Sequence, residues 1–313
     1  MRLPFSFDHL TPAQFGGVLP ITRSFEDSAA VILPAPLDRT TSYVSGTRQG
    51  PRELLLASGQ VELWDEEVGV DIHDRGLFTL PEMDLASLPF ADALEQVGRV
   101  AGEVLDRDKF LITLGGEHSI TPPLVAATAA RHRGLSVLQI DAHADLRDSY
   151  QSERSSHACA MRRTLEYAPI VQVGIRNISG DEVTALPSLS TTIFYDWNMR
   201  TDPDWVARVV DALSDTVYVT IDLDGLDPAT MPAVGTPEPG GLSWRELMTV
   251  LRRTFEHKHV VACDVVELCP IPGFASPNFI AAKLVYKLLT YRFGLHGARP
   301  LSIGGRADDR ARR

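Results

Sequence analysis

The chain has 313 residues, 44% hydrophobic and 23% charged, an ordinary globular composition with a formal net charge of −11. That acidity argues against a nucleic-acid partner and favours a cationic one, and no apolar stretch is long enough to span a bilayer. Three cysteines without a C-x-x-C pair form no disulfide framework, and the N-terminus has no long apolar leader, so a cytoplasmic protein is expected.

Residues 1–28 show no clear periodicity and are read as a surface wrapping. The apolar run 29–33 is a buried-type strand closed by Pro34 and Pro36. A long polar loop with glycines, 38–52, leads into a helical segment at 53–58; loops of that length usually carry function or are disordered. Helical spacing of Leu94, Val97, Val100, Ala101, Val104 and Leu105 predicts a helix over 91–105. Strand 110–114 ends in Gly115-Gly-Glu-His118, and Thr121-Pro122 opens another helix in cap-then-proline order. Strand 135–140 ends in Asp141-Ala-His-Ala-Asp145. Further strands are expected at 170–174, 191–195, 216–221 and 259–263, and helices at 203–213, 243–255 and 278–291. Residues 306–313 carry four arginines and read as a frayed basic tail. With no repeat or linker between them, residues 1–313 are expected to form one α/β domain: three α/β/α layers around a mostly parallel sheet.

The polar clusters share one position in this pattern. His118, then Asp141, His143 and Asp145, then Asp222 and Asp224, then Glu267 all lie just past predicted strands. In open parallel sheets that rim is where ligands bind, near a topological switch point. Carboxylates and imidazoles crowded there resist desolvation unless cations sit among them. Two histidines and four aspartates exceed what one tetrahedral zinc takes. They suit two metals sharing carboxylates, about 3.5–4 Å apart in such sites, and a carboxylate-dominated set favours manganese. Two such ions would lower the pKa of a shared water.

Gly115-Gly-Glu-His-Ser119, Asp141-Ala-His-Ala-Asp145, Thr220-Ile-Asp-Leu-Asp-Gly-Leu-Asp-Pro228 and Gly235-Thr-Pro-Glu-Pro-Gly-Gly241 together resemble the ureohydrolase (arginase–agmatinase) family. The resemblance runs from about Val31 to Pro270. It implies an arginase-like α/β/α fold, two Mn²⁺ per chain, and hydrolysis of a guanidinium group by metal-bound hydroxide to urea and an amine. It places the metal ligands on His118, Asp141, His143, Asp145, Asp222 and Asp224. It implies a proton-shuttling role for His157 and a guanidinium-binding role for Glu267, and puts Asp145 among the catalytic residues as well. A planar cationic guanidinium matches a carboxylate fork, and histidine titrates near neutral pH. A homo-oligomer, trimeric or hexameric, is implied too.

Residues 33–52 look like the agmatinase branch, and Gly174-Ile-Arg-Asn177 lacks the acid that arginases carry after this arginine. Agmatine, giving putrescine and urea, is therefore the expected substrate. The loop Ser156-His-Ala-Cys159 departs from the His-Gly of many agmatinases, which leaves aminopropyl-agmatine, guanidinobutyrate and arginine as alternatives. Thr236 and Glu238 are candidates to touch substrate, as are Asn177 and Arg147, and Arg147 and Arg154 are expected to flank the pocket mouth, where they could bind a carboxylate. From another class, a two-metal phosphoesterase also begins with Asp-x-His, but would need an Asn-His-Glu/Asp segment that is absent. A Cys159–His157 nucleophile is a minor alternative. His9, His73, His132, His257, His259 and His296 have no ligand-like neighbours and read as surface or core fillers.

Overall fold

The computed structural model describes residues 14–17, 21 and 23–295. Most of the expected wrapping before residue 29, the basic tail, His9 and His296 lie outside the described residues.

In chain order the elements are β1 (Ala30–Ala35), α1 (Gly50–Ser58), β2 (Trp64–Asp65), β3 (Val70–Asp71), β4 (Leu77–Thr79), α2 (Phe90–Leu105), β5 (Phe110–Gly115) and α3 (Thr121–Ala129). Then follow β6 (Leu135–Ile140), α4 (Ala160–Thr164), β7 (Ile170–Ile175), α5 (Gly180–Ala185), β8 (Thr191–Tyr195), α6 (Asp196–Met199), α7 (Trp205–Ala212), β9 (Thr216–Asp222), α8 (Trp244–His257), β10 (His259–Val266) and α9 (Ser276–Gly294). Eight strands form one sheet in the order β4-β1-β5-β10-β9-β6-β7-β8, every neighbouring pair parallel.

The apolar strand runs explain this sheet. β1, β5, β6 and β7 are buried along their whole length, as strands covered on both faces must be. Alternate side chains feed two cores. Ala30 and Ile32 point into one with α1, α7, α8 and α9, whereas Val31 and Leu33 point into the other with α2 and α3. The result is the three-layer α/β/α architecture. Among the described residues no helix is long and apolar enough to cross a membrane.

Several expected boundaries move. β1 continues through Pro34 to Ala35, because its ladder with β4 ends at Ile32–Thr79. The missing proline N–H thus falls where no partner strand lies, and Pro34 O still accepts from Met83 N at 3.2 Å. α1 begins at Gly50 with Pro51 in its first turn, earlier than the expected start at 53. β10 runs on to Val266, so Asp264 lies inside a strand and Glu267 directly past its end. The β2–β3 hairpin and β4 are too short to show a periodicity. The hairpin has a task all the same: its buried Asp65 pairs with Lys287 on the core side of α9, at 2.9 Å, and Glu67 reaches the same ammonium at 2.6 Å.

The topology makes a rim. After β5 the chain skips two places to β6, and β9 and β10 later fill the gap. The ends of β5, β10, β9 and β6 are therefore neighbours, and parallel pairing puts all four on one edge.

Candidate metal centre

Each rim residue arrives on a strand end whose backbone is shaped for it. After β5, Gly116 passes so close to β1's exit that a Cβ there would lie 1.9 Å from Leu37 O; only glycine fits. Glu117 N donates to that same carbonyl at 2.7 Å. His118 then opens a short 3-10 turn, its N–H donating to Glu267 Oε1 at 2.7 Å, while Glu267 N donates to Gly116 O at 2.8 Å. Between β9 and β6, Gly225 plays the part of Gly116, since its Cβ would meet Asp141 N at 2.8 Å. Asp145 and Glu267 have φ of 54° and 65°, a left-handed conformation that costs energy for residues with side chains.

The side chains so delivered form two clusters sharing one acid. His118, Asp141 and Asp145 make one; Asp141, His143 and Asp224 make the other. His118 Nδ1 lies 3.2 Å from Asp141 Oδ2, 3.2 Å from Asp145 Oδ2 and 3.3 Å from Asp222 Oδ2. His143 Nδ1 lies 3.0 Å from Asp224 Oδ2 and 3.6 Å from Asp141 Oδ1. Asp141 thus faces each imidazole with a different oxygen, as a bridging carboxylate would.

This arrangement fits cations better than it fits itself. His118 Nδ1 is fully buried and makes no hydrogen bond, although three carboxylates converge on it. Its other nitrogen is used, Nε2 lying 2.9 Å from Thr220 Oγ1. Left alone, the cluster has to hold protons. Burial and the adjacent Asp141 charge push the Asp145 carboxyl up to about 6, and burial with Asp224 and Asp141 pushes Asp222 well above the carboxylate range. Burial opposes charge on His143 and His118, but the facing aspartates outweigh it, raising His143 to about 12 and His118 well above its usual range. Hard oxygen donors with two imidazoles, crowded to this degree, match divalent metal ions.

Beside the clusters opens a cavity of about 200 Å³. Its wall includes His143, Asp145, Asp222, Asp224, His157 and Glu267, while His118 and Asp141 lie beneath, buried. Glu267 is itself buried, and burial together with Glu117 raises its carboxyl well above the usual range; a cationic guest would reverse that. His157 N donates to Thr40 Oγ1 at 2.9 Å, and its Nδ1 lies 3.2 Å from the same oxygen. Thr40 in turn donates from Oγ1 to Glu117 Oε1 at 2.8 Å and from its backbone N to Oε2 at 2.6 Å. Burial holds the His157 imidazole below its usual pKa, so it rests neutral at pH 7. The sequence reading missed Glu117 and Thr40, because 77 residues separate them.

Thr236 and Asn177 also line the cavity. Thr236 Oγ1 lies 3.4 Å from Asp224 Oδ2, and Asn177 Nδ2 donates to Glu238 Oε1 at 2.5 Å. Arg176 straps this side together, donating from Nη2 to Asp224 O at 2.7 Å and Glu238 O at 2.9 Å. Arg147 reaches the cavity but stacks over Tyr150, 5.3 Å from the ring centre, with Glu182 at 4.0 Å. Arg154 does not line it; it pairs with Asp148 at 3.0 Å. Tyr43 is 79% exposed and stands outside the cavity wall. Burial pushes the Cys159 thiol up to about 11, which removes the thiolate a Cys–His nucleophile needs.

Comparison with known proteins agrees with this geometry. The arginase family profile matches residues 28–290. The N(1)-aminopropylagmatine ureohydrolase of Synechocystis sp. is 40% identical over 291 residues, covering 90% of this chain and 94% of that protein. The agmatinase of Bacillus cereus is 32% identical over 275 residues, covering 85% and 92%. Among solved structures, the agmatine ureohydrolase of Thermoplasma volcanium superposes with a TM-score of 0.79 at 27% identity, covering 89% of this chain and 94% of that one.

Proposed function

Because the chain belongs to the arginase family, we propose that it hydrolyses the guanidinium group of a linear, cationic guanidine to urea and an amine, with two Mn²⁺ bound by His118, Asp141, His143, Asp145, Asp222 and Asp224. The observation that carries this reading is the pair of imidazole–carboxylate clusters sharing Asp141, with buried Glu267 beside them. When bound, the ions supply Lewis-acid activation of water.

The chain's own residues do the rest. Glu267 has one oxygen fixed by the His118 N–H, leaving the other to accept N–H groups of the planar guanidinium. Binding a cation there also relieves the cost of ionising Glu267 in a buried site. Hydrolysis breaks the bond between the central carbon and the substituted nitrogen, which must leave as an amine carrying an extra proton. His157 is neutral at rest, so it can take up a proton released in the attack and return it to that nitrogen. Thr40 and Glu117 hold its Nδ1 side, while Nε2 faces the cavity beside Ser42 Oγ, 3.5 Å away.

The substrate's tail is read from what remains of the wall. Glu182 is committed, accepting from Leu146 N at 2.8 Å and Ser179 N at 2.7 Å. Glu238 is held by Asn177 through one oxygen only and is partly exposed, so its carboxylate faces a guest. Arg147 is occupied by Tyr150 and Glu182, which counts against a guanidino acid as substrate. A polycationic guanidine fits better, and the likeness to the Synechocystis sp. protein supports N1-aminopropylagmatine ahead of agmatine. A urea-release panel on the Mn²⁺-loaded protein tests this with N1-aminopropylagmatine, agmatine, guanidinobutyrate and arginine. The highest kcat/KM is expected for the first. No urea from any of the four, with metal shown to be bound, would refute the reading.

A further inference from the structure

One buried carboxylate near the rim touches neither the cavity nor the two clusters. Asp264 sits inside β10 with no exposure, and no salt bridge reaches it among the described residues. A lone buried carboxylate is costly unless its hydrogen bonds have a purpose. Asp264 Oδ2 accepts from Tyr218 OH at 2.7 Å and Thr121 Oγ1 at 2.9 Å, and Oδ1 accepts from Thr220 Oγ1 at 2.6 Å. Thr220 Oγ1 is also the partner of His118 Nε2, at 2.9 Å.

A hydroxyl has a single proton. Thr220 directs it to Asp264, so towards His118 it presents only a lone pair. His118 must then carry its own proton on Nε2, which leaves the lone pair on Nδ1. Nδ1 is the orphaned atom on which Asp141, Asp145 and Asp222 converge. If the Thr220 proton turned towards Nε2 instead, His118 would carry its proton on Nδ1 and could not ligate.

We propose that Asp264 is a positioning residue: acting through Thr220, it locks His118 in the Nε2–H tautomer and so sets the affinity of the ion held by His118, Asp141 and Asp145. The inference rests on the reading that this cluster holds a divalent cation. It is selective, because among the described residues no hydrogen bond joins His143 or Asp224, the members the other cluster does not share, to Thr220 or Asp264.

The test is Mn²⁺ binding to the chelator-stripped full chain, followed by competition with a metal indicator, alongside unfolding of the metal-free protein. In Asp264→Asn the introduced carbonyl keeps the Tyr218 and Thr121 donors. The amide then donates to Thr220, whose proton turns to His118. One of two binding steps should weaken about 10–100-fold, the other should hold, and the metal-free unfolding midpoint should not fall. Thr220→Val should do the same, whereas Thr220→Ser, which retains the hydroxyl, should bind like wild type. Those two keep the test informative if Asp264→Asn does not fold. Wild-type affinity at both steps in Asp264→Asn and Thr220→Val would overturn the proposal. So would equal weakening of both steps with a lowered metal-free midpoint, the mark of a structural role. Fewer than two ions on the wild type would refute the metal reading beneath it.

Discussion

Asp145→Asn should change the sign of its effect on stability when metal is removed. In the metal-free protein the Asp145 carboxyl rises from its usual 3.8 to about 6, driven by burial and Asp141 and net of the attraction of His118. At about 1.36 kcal/mol per pH unit, that rise is a penalty on the order of 3 kcal/mol on the ionised form at pH 7. A carboxyl raised in this way binds more protons folded than unfolded, so metal-free stability should fall as the pH climbs from about 4 through about 6. Asparagine presents a neutral group of the same shape, and it tolerates the φ of 54° that Asp145 adopts. With chelator at pH 7 the variant should therefore match or exceed wild type by up to about 3 kcal/mol, and the gain should shrink towards pH 4. With Mn²⁺ at 1,000-fold over its Kd, one bound ion stabilises the fold by about 4.1 kcal/mol, more than the largest expected gain of the variant. The variant lacks a ligand for that ion and should become the less stable of the two. Urea unfolding at both pH values, with chelator and with Mn²⁺, measures all four quantities. A variant less stable than wild type at pH 7 under chelation would show that the carboxylate crowd imposes no such penalty.

His157→Ala should keep both metal-binding steps while lowering kcat about 10²–10⁴-fold. The acid limb of the wild-type pH–rate profile should lie below 6.5, since burial holds His157 below that value, and should vanish in the variant; loss of metal there would refute its role. Glu238→Gln preserves an acceptor for Asn177 but removes the charge, so KM for N1-aminopropylagmatine should rise about tenfold, or about 1.4 kcal/mol, with kcat little changed. An unchanged KM would place the substrate's ammonium elsewhere. Away from the site, Lys287, Tyr291 and Arg252 overcome burial to hold the Glu67 carboxyl below its usual 4.5. A depressed carboxylate stabilises above the unfolded pKa and ceases to as the pH falls through the folded one. Glu67→Gln should thus cost about 1 kcal/mol at pH 7, screening included, and the two unfolding curves should converge below about pH 4.5; a pH-independent difference would point to packing instead.

What the sequence disclosed depended on how local each signal was. β6 and β8 were legible to the residue, because short runs rich in β-branched, aromatic and apolar residues between polar or turn segments admit little else. The clusters around Asp141 and Asp222 were visible because each closes such a run. Nothing in the local pattern announces that Thr40, 117 residues from His157, shares an oxygen with it. Nor does it announce that Asp264, placed by the sequence past a strand's end, lies within the strand and beneath His118. These contacts depend on which strands are neighbours and in what register, and periodicity carries neither. The β2–β3 hairpin escaped for a different reason. Two-residue strands have no period to read, and its logic, the burial of Asp65 against Lys287, lies on α9 more than 200 residues away.

Strand order also explains why six candidate ligands from three separate strand ends can meet. Adjacent strands lie about 4.8 Å apart, so β5 and β6, with β10 and β9 between them, are about 14 Å apart. Yet His118 Nδ1 comes within 3.2 Å of Asp141 Oδ2. The segments leaving β5 and β6 must lean towards each other across the ends of β10 and β9, and on the β6 side Gly225 permits the close approach of the β9 exit to Asp141. Glu267, at the end of β10, is then positioned by the same crossing through its clamp on the His118 N–H. Were β9 and β10 not inserted between β5 and β6, the two histidines would still end their strands. Asp222, Asp224 and Glu267 would not stand between them, and the cluster would lose half its carboxylates together with the candidate guanidinium acceptor.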